Sequence, residues 1–258
     1  MIYRGVFHAH SQHSFDGKEP LARLCAELRS RGYHFLLLTE HDDTLDAATY
    51  ERICSECNGL SGPDFLAVPG IEVRCWRNER EQCHVAALGV RAWIPRGPIP
   101  DVLSAIRLAG GLSVILHPHK YSAHVEPAEL AGFDGFEFWN GKEDGHFAPR
   151  GKTMQLARRL CASGRGPVLY AGHDLHELEG IAPLAIELEA AALKKEEVFE
   201  KLRTGEFNLR TRGLQFSATR GPSTVQFWRM GFSRAIYEAY RVLRRLPVIG
   251  SGLGALRR

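Results

Sequence analysis

The chain is organised as a series of short apolar runs, each ending in or followed by a histidine, aspartate or glutamate. The first, Val6-Phe7-His8-Ala9-His10, closes on two histidines one residue apart. Side chains at i and i+2 of a strand point to the same side, so imidazoles in that spacing can grip one metal ion. The grammar returns at Glu40-His41-Asp42, Glu72, His84, His117 and Asp174-Leu175-His176. Six of the twelve histidines fall in this ordered series, which random placement would rarely produce. Such a chain needs an architecture that gathers strand ends on one rim, and repeated β-α units do so.

Strands are expected at Tyr3 to His8, Phe35 to Thr39, Phe65 to Pro69, His84 to Val90, Leu112 to Leu116, Gly135 to Trp139, Val168 to Ala171 and Leu184 to Leu188. Helices are expected at Leu21 to Arg31, Asp46 to Cys57, Pro100 to Ala109 and Lys152 to Ala162, several closing on glycine, the usual helix stop. The alternation implies a parallel sheet with its active site at the C-terminal strand ends. One α/β unit would span residues 1–205, with a strand and helix to about 215 included if the barrel continues, followed by a tail at 216–258.

With 258 residues, 44% of them hydrophobic, the chain can bury a large core. No apolar run approaches the roughly 18 to 20 residues needed to span a bilayer, and Met1-Ile2-Tyr3-Arg4 does not open a signal peptide. The expected location is cytoplasmic, either free or peripheral at a membrane. Six cysteines are few for this length; Cys54 and Cys57 form a CxxC inside a helix-like stretch with no second pair, a structural arrangement rather than a zinc ribbon. The net charge of +3 is uneven. From Arg210 onward ten basic residues face one acid, Glu238, giving +9, so the remaining 23 basic and 29 acidic residues give −6.

The strand-end groups His8, His10, Asp16, His41, Glu72, His84, His117, Asp174 and His176 are candidate metal ligands. Imidazole and carboxylate suit Zn, Mn and Fe, and nine donors exceed what one ion needs, so two or three divalent ions are expected. Taken singly, several have plainer readings. Asp16 beside Gly17 also suits a turn, Asp174 a helix cap, and His84 at the start of a strand a structural role.

Together the motifs resemble the PHP domain, the polymerase and histidinol phosphatase superfamily. The matching positions are His8-Ala9-His10-Ser11 with Asp16-Gly17, Thr39-Glu40-His41-Asp42, Pro69-Gly70-Ile71-Glu72, His84-Val85-Ala86, His117-Pro118 and Asp174-Leu175-His176, covering about Val6 to Gly180. The resemblance implies a distorted (β/α)7 barrel, TIM-barrel-like, with a trinuclear metal centre. His8, His10, Glu72 and Asp174 would hold one ion, and Glu72 would bridge to a second completed by His84 and His117. Asp16, His41 and His176 would hold the third. Glu40 stands where the family usually has Asp, and His173 where it often has Ser.

The implied activity is hydrolysis of a phosphate monoester or nucleotide-type ester by a metal-activated hydroxide. Glu72 supports it as the bridge, while His41 and His176 are either ligands or the acid that protonates the leaving alcohol. Lys120, just after His117-Pro118-His119, is the first candidate for holding phosphate, followed by Arg74, Arg77 and Lys142; His173 either reaches the substrate or packs behind the ligands. Trp139-Asn140 either borders the pocket or lies in the core. Only eleven residues separate Glu72 from His84, which leaves no room for the helical cap some members carry there. Two alternatives stand beside the phosphoesterase: a non-catalytic metal-binding module, and an amidohydrolase-type hydrolase, which would want a strand-borne bridging lysine.

In the tail, Ser223 or Thr224 would cap a helix running to about Leu246, stopped by Pro247. Val225, Trp228, Phe232, Ile236, Ala239, Leu243 and Leu246 form one stripe, with Arg234, Arg241, Arg244 and Arg245 on the far side, while Phe227, Met230 and Tyr237 interrupt the polar face. Such a helix packs its stripe on the barrel or on a second copy, or meets an anionic membrane, helped by the apolar Val248 to Leu256 region, or nucleic acid.

Overall fold

The protein is described from a computed structural model covering residues 1–78, 81–120, 130–145, 147–163 and 167–244. It is a mixed α/β structure. Its first six-stranded sheet contains β1 (Ile2–Phe7), β2 (Phe35–Leu37), β4 (Leu66–Val68), β11 (Ala185–Glu189), β12 (Phe207–Thr211) and β13 (Leu214–Ser217), in the order β13-β12-β11-β1-β2-β4. The second holds β3 (Glu40–His41), β5 (Gly70–Asn78), β6 (Glu81–Leu88), β8 (Leu112–Ile115), β9 (Gly135–Asn140) and β10 (Val168–Gly172), in the order β10-β9-β8-β6-β5-β3, with the short β7 (Gly97–Pro98) beside β5.

The two sheets are joined at both sides and enclose one apolar core. β2 runs on into β3 and β4 into β5, and Leu38 N donates to Val68 O (3.0 Å) across that passage. At the other side, residues after β10 pair with residues after β1. His173 N donates to Phe7 O (2.8 Å), Leu175 N to His8 O (3.1 Å) and His10 N to Leu175 O (2.8 Å). Within the first sheet, the close packing of β1 on β2 needs a residue without a side chain at position 5, because a Cβ on Gly5 would lie 1.9 Å from the Phe35 ring carbon Cε2.

Helices cover the outside. α1 (Leu21–Ser30) buries Leu21, Leu24, Cys25 and Leu28, the i, i+3, i+4, i+7 face expected of an amphipathic helix. α2 (Ala47–Leu60) starts where the Asp46 carboxylate accepts from Thr49 N (2.7 Å), and it buries Cys57, which is a free thiol. α3 (Ile99–Leu108), the single-turn α4 (Gly141–Asp144), α5 (Gly151–Ser163), α6 (Lys195–Thr204) and α7 (Thr224–Leu243) complete the set.

Two expectations need correction. The sheet is not wholly parallel: β6 runs antiparallel to both β5 and β8, and β11 to β13 are antiparallel to their neighbours. β5 was not expected as a strand, since Arg74, Trp76, Arg77 and Asn78 break its apolar pattern although its first four residues are buried. The first sheet also continues past Gly205 through β12 and β13.

The tail helix α7 begins at a capping box in which Gln226 N donates to Ser223 Oγ (3.3 Å) and Ser223 N to Gln226 Oε1 (2.8 Å). The expected helix end at Leu246-Pro247, the Gly164 stop and the Val248 to Leu256 region lie outside the described residues. α7 docks through the face opposite the apolar stripe. Met230 is buried, Tyr237 stacks on Phe147 (5.3 Å), and Arg234 donates to Asp144 O (3.0 Å) and Ala148 O (3.4 Å).

Candidate metal centre

All nine sequence-derived ligand candidates converge on one rim. β1 delivers His8 and His10, β3 delivers His41, β5 delivers Glu72, and β8 and β10 lead into His117, Asp174 and His176. His84 lies in the middle of β6, and it reaches the same rim because β6 runs antiparallel to β5 and β8. His8, His117 and Asp174 sit at φ 63°, 23° and 53°, the only non-glycine residues with positive φ among the described residues. Such conformations are strained for side chains of this kind and cluster where structure is held for a purpose.

Eight of the donors, all but Asp16, fall into four overlapping groups, two of which share Glu72, and the ligand atoms within each group are close enough to share an ion. Glu72 Oε2 lies 3.1 Å from His8 Nε2 and 3.4 Å from His10 Nε2, and Asp174 Oδ1 stands 3.7 Å from both imidazoles. The other Glu72 oxygen, Oε1, meets His84 Nδ1 and lies 3.2 Å from His117 Nε2. Asp16 bridges His176 Nε2 (2.9 Å) and His41 Nε2 (3.4 Å), while the His10 ring stacks on both His41 (4.2 Å) and His176 (4.4 Å).

Electrostatics follow from this crowding. Burial alone would raise the Glu72 carboxyl, but hydrogen bonds from His117, His8 and His84 hold it well below the usual range. Burial pushes His10 well below its ordinary value, leaving it neutral, and His10 Nε2 is buried without a hydrogen-bond partner among the described residues. Burial also acts to lower His8, but Glu137 and Asp174 outweigh it and raise His8 well above. A buried, neutral, unpartnered imidazole nitrogen facing two carboxylates fits a metal ligand set.

The residues behind the donors were largely missed from sequence. Glu137, in the middle of β9, lies 2.7 Å from His8 Nδ1 and accepts from His117 N (2.6 Å) and Asn140 Nδ2 (3.1 Å). Its one signal is a charged residue inside the run Phe136-Glu137-Phe138-Trp139. Gly172 makes room for this pair, because a Cβ there would lie 2.0 Å from Glu137 Oε1 and 2.8 Å from His8 Cβ. Glu40 accepts from Ser11 N (3.0 Å) and from the Ser11 and Ser14 hydroxyls, and His41 N donates to Ser14 Oγ (2.9 Å). Glu40 therefore ties the loops carrying His10 and His41 together.

The substrate candidates divide. Lys142 Nζ stands 3.3 Å from His176 and 3.8 Å from Asp174 Oδ1, beside the donors. Lys120 pairs with Glu143 (3.3 Å), whose carboxyl is lowered to about 2 by the nearby His119 imidazole (3.9 Å) and the Lys120 ammonium. Arg74 pairs with Asp43 (2.8 Å) at the rim. His173 is not placed to touch a substrate: its ring is 1% exposed and its Nε2 lies 3.1 Å from Ala182 O. Trp139 is core, donating to Gly145 O (2.9 Å). Phe15, 66% exposed, stacks on His41 at 5.0 Å.

Solved structures share this arrangement of the backbone. A two-domain protein from Bacteroides vulgatus containing a predicted PHP-like metal-dependent phosphoesterase superposes with TM-score 0.62 at 16% identity, over 91% of this chain and 70% of its own. The chain has the PHP-like fold. A protein from Bifidobacterium adolescentis assigned as a metal-dependent phosphoesterase gives 0.54 at 14% identity, over 77% of this chain and 96% of its own. An amidohydrolase from Chromobacterium violaceum gives 0.53 at 15% identity, over 78% and 96%. No protein-family profile and no curated protein matches the chain. The PHP resemblance drawn from the motifs is met at the level of fold. Among the described residues no helix is long and apolar enough to cross a membrane.

Proposed function

We propose that the chain is a metal-dependent phosphoesterase acting on a phosphate monoester or nucleotide-type ester. The observation that carries this reading is the sharing of Glu72 between two donor groups, His8 with His10 and His84 with His117. In this reading the seven strands from β1 round to β10, counting β2–β3 and β4–β5 as continuous, form the distorted (β/α)7 barrel.

His8, His10, Glu72 and Asp174 would hold one ion, Glu72, His84 and His117 a second, and Asp16, His41 and His176 a third, with Zn, Mn or Fe suited to these donors. Bound ions supply a hydroxide-strength nucleophile near neutral pH and neutralise phosphoryl oxygens. The protein's own part is to orient and to move protons. Glu137 fixes the His8 ring so that Nε2 faces the carboxylates. Lys142 offers a mobile cation to a phosphoryl oxygen beside Asp174, with Lys120 and Arg74 farther out. His41 or His176 gives its proton to the leaving alkoxide wherever it is not a ligand. Phe15 presents an apolar face at the entrance on which the alcohol portion of the ester can rest.

The amidohydrolase alternative, raised by the sequence, has the Chromobacterium neighbour on its side, but it would want a strand-borne bridging lysine, a role that Glu72 takes in the present reading. The test is to purify the chain without chelators, count its metals, and assay phosphoester and amide panels with Mn and Zn for wild type and Glu72→Ala. Bound metal and phosphoester turnover abolished by Glu72→Ala are expected. Absence of metal, or turnover indifferent to the substitution, overturns the proposal.

A further inference from the structure

We propose that α7 lays its outward face on an anionic lipid surface, with the body of the protein on its other side. Val225, Trp228, Phe232, Ile236 and Leu243 are exposed at 68%, 76%, 70%, 54% and 48%, and they follow one another at helical spacing on a single face. Tyr240 and Val242 widen the same exposed surface. Apolar patches of this kind on a protein surface mark something that covers them.

The core cannot be what covers them. The opposite face is already committed, through Met230, Arg234 and the stacked pair Tyr237 and Phe147. Turning the stripe inward would abandon those contacts and leave the Asp144 and Ala148 carbonyls without Arg234.

Charge selects the occupant. Arg229 borders the stripe, three residues before Phe232 and seven before Ile236, and Arg244 lies over the Tyr240 ring (5.9 Å). The helix's one acid, Glu238, is paired with Arg234 at 2.7 Å. From Arg210 to the end the sequence has ten basic residues and one acid. Its last fourteen positions, outside the described residues, add Arg245, Arg257 and Arg258 among Val248, Ile249, Leu253 and Leu256 without an acid. A second copy placed stripe to stripe would bring two such +9 tails together. A helix with Trp, Phe and Leu on one face and arginines beside it matches an anionic interface, lying in its plane without crossing it.

The experiment is flotation of the full chain with vesicles of phosphatidylcholine alone or mixed equally with phosphatidylglycerol, alongside sizing without lipid. The variants are Phe232→Asp and Arg229→Glu, both at exposed positions, with metal content and far-UV spectrum checking the fold. Wild type is expected to float with the anionic vesicles only and to be released by salt. Phe232→Asp should lower its partitioning by about tenfold or more, and Arg229→Glu by a smaller factor that disappears at high salt. Failure of wild type to bind anionic vesicles overturns the proposal, as does equal flotation of Phe232→Asp. A lipid-indifferent wild-type dimer that Phe232→Asp splits would overturn it in favour of a second copy.

Discussion

His8 Nδ1 and Glu137 Oε1 meet at 2.7 Å in a place where neither side chain touches water. With the carboxylate accepting, the ring proton is held on Nδ1, and Nε2 is left facing Glu72 and Asp174. Glu137 is thus a positioning residue for the metal centre. Glu137→Gln keeps the shape but can present its NH2 group to His8, so metal affinity should fall about 10- to 100-fold. Competition titration against a chromophoric chelator measures it, and an affinity equal to wild type would refute the role.

Asp174 combines a proposed ligand carboxylate with a left-handed backbone at φ 53°. Asn tolerates that conformation whereas a β-branched residue does not. In chelator-treated protein Asp174→Asn should retain the fold, while Asp174→Val should be less stable than Asp174→Asn by at least about 1–2 kcal/mol. Both should lose metal. Thermal unfolding compared with metal counting separates the backbone effect from the ligand effect.

Proton release should accompany metal uptake. His8 is raised well above its ordinary value by Glu137 and Asp174, so the metal-free site carries a proton there that an ion must displace. The sign is that affinity weakens as pH falls below the raised His8 value and levels off above it. His10, already neutral, adds nothing to this slope. Calorimetric titration in buffers of different ionisation enthalpy reads the protons directly, and binding enthalpy independent of the buffer would contradict the expectation.

Arg234 is 7% exposed, and its guanidinium satisfies two carbonyls of the segment around α4. Arg234→Ala leaves those acceptors unpaired at a cost of about 1–3 kcal/mol. The expected result is early proteolytic cleavage around α7 with the metal content of the body unchanged. Simultaneous loss of metal would mean that α7 and the site unfold as one unit.

Much of the site was legible because its donors obey local rules: His8 and His10 share a strand face, and Glu72 and His117 lie in or just beyond apolar runs. His84 was harder, since strand polarity is not written in a single run; only antiparallel pairing with β5 and β8 brings the middle of β6 to the rim. Glu137 was missed because a buried acid in a strand reads the same whether it orients a ligand or is one. His173 was ambiguous for a similar reason, adjacent to a donor in sequence but turned toward Ala182 in space. For α7 the helical period was plain, yet the docking face was not. Arg234 and Met230 hold it, and the more apolar side looks outward.

The antiparallel β5–β6 pair has a consequence for the order in which the protein assembles. Glu72 and His84 are brought together by neighbouring strands, a nearby contact whose loop-closure entropy is small. His8 and Asp174 meet only when residues after β10 bond to residues after β1, near opposite ends of the folded body. The Glu72–His84 pair is therefore a local product of folding, and the His8–Asp174 pair depends on closing the ring. Under the proposed metal centre, an ion that requires both pairs would be retained only by chains that have closed the ring, so metal retention would double as a readout of completed folding.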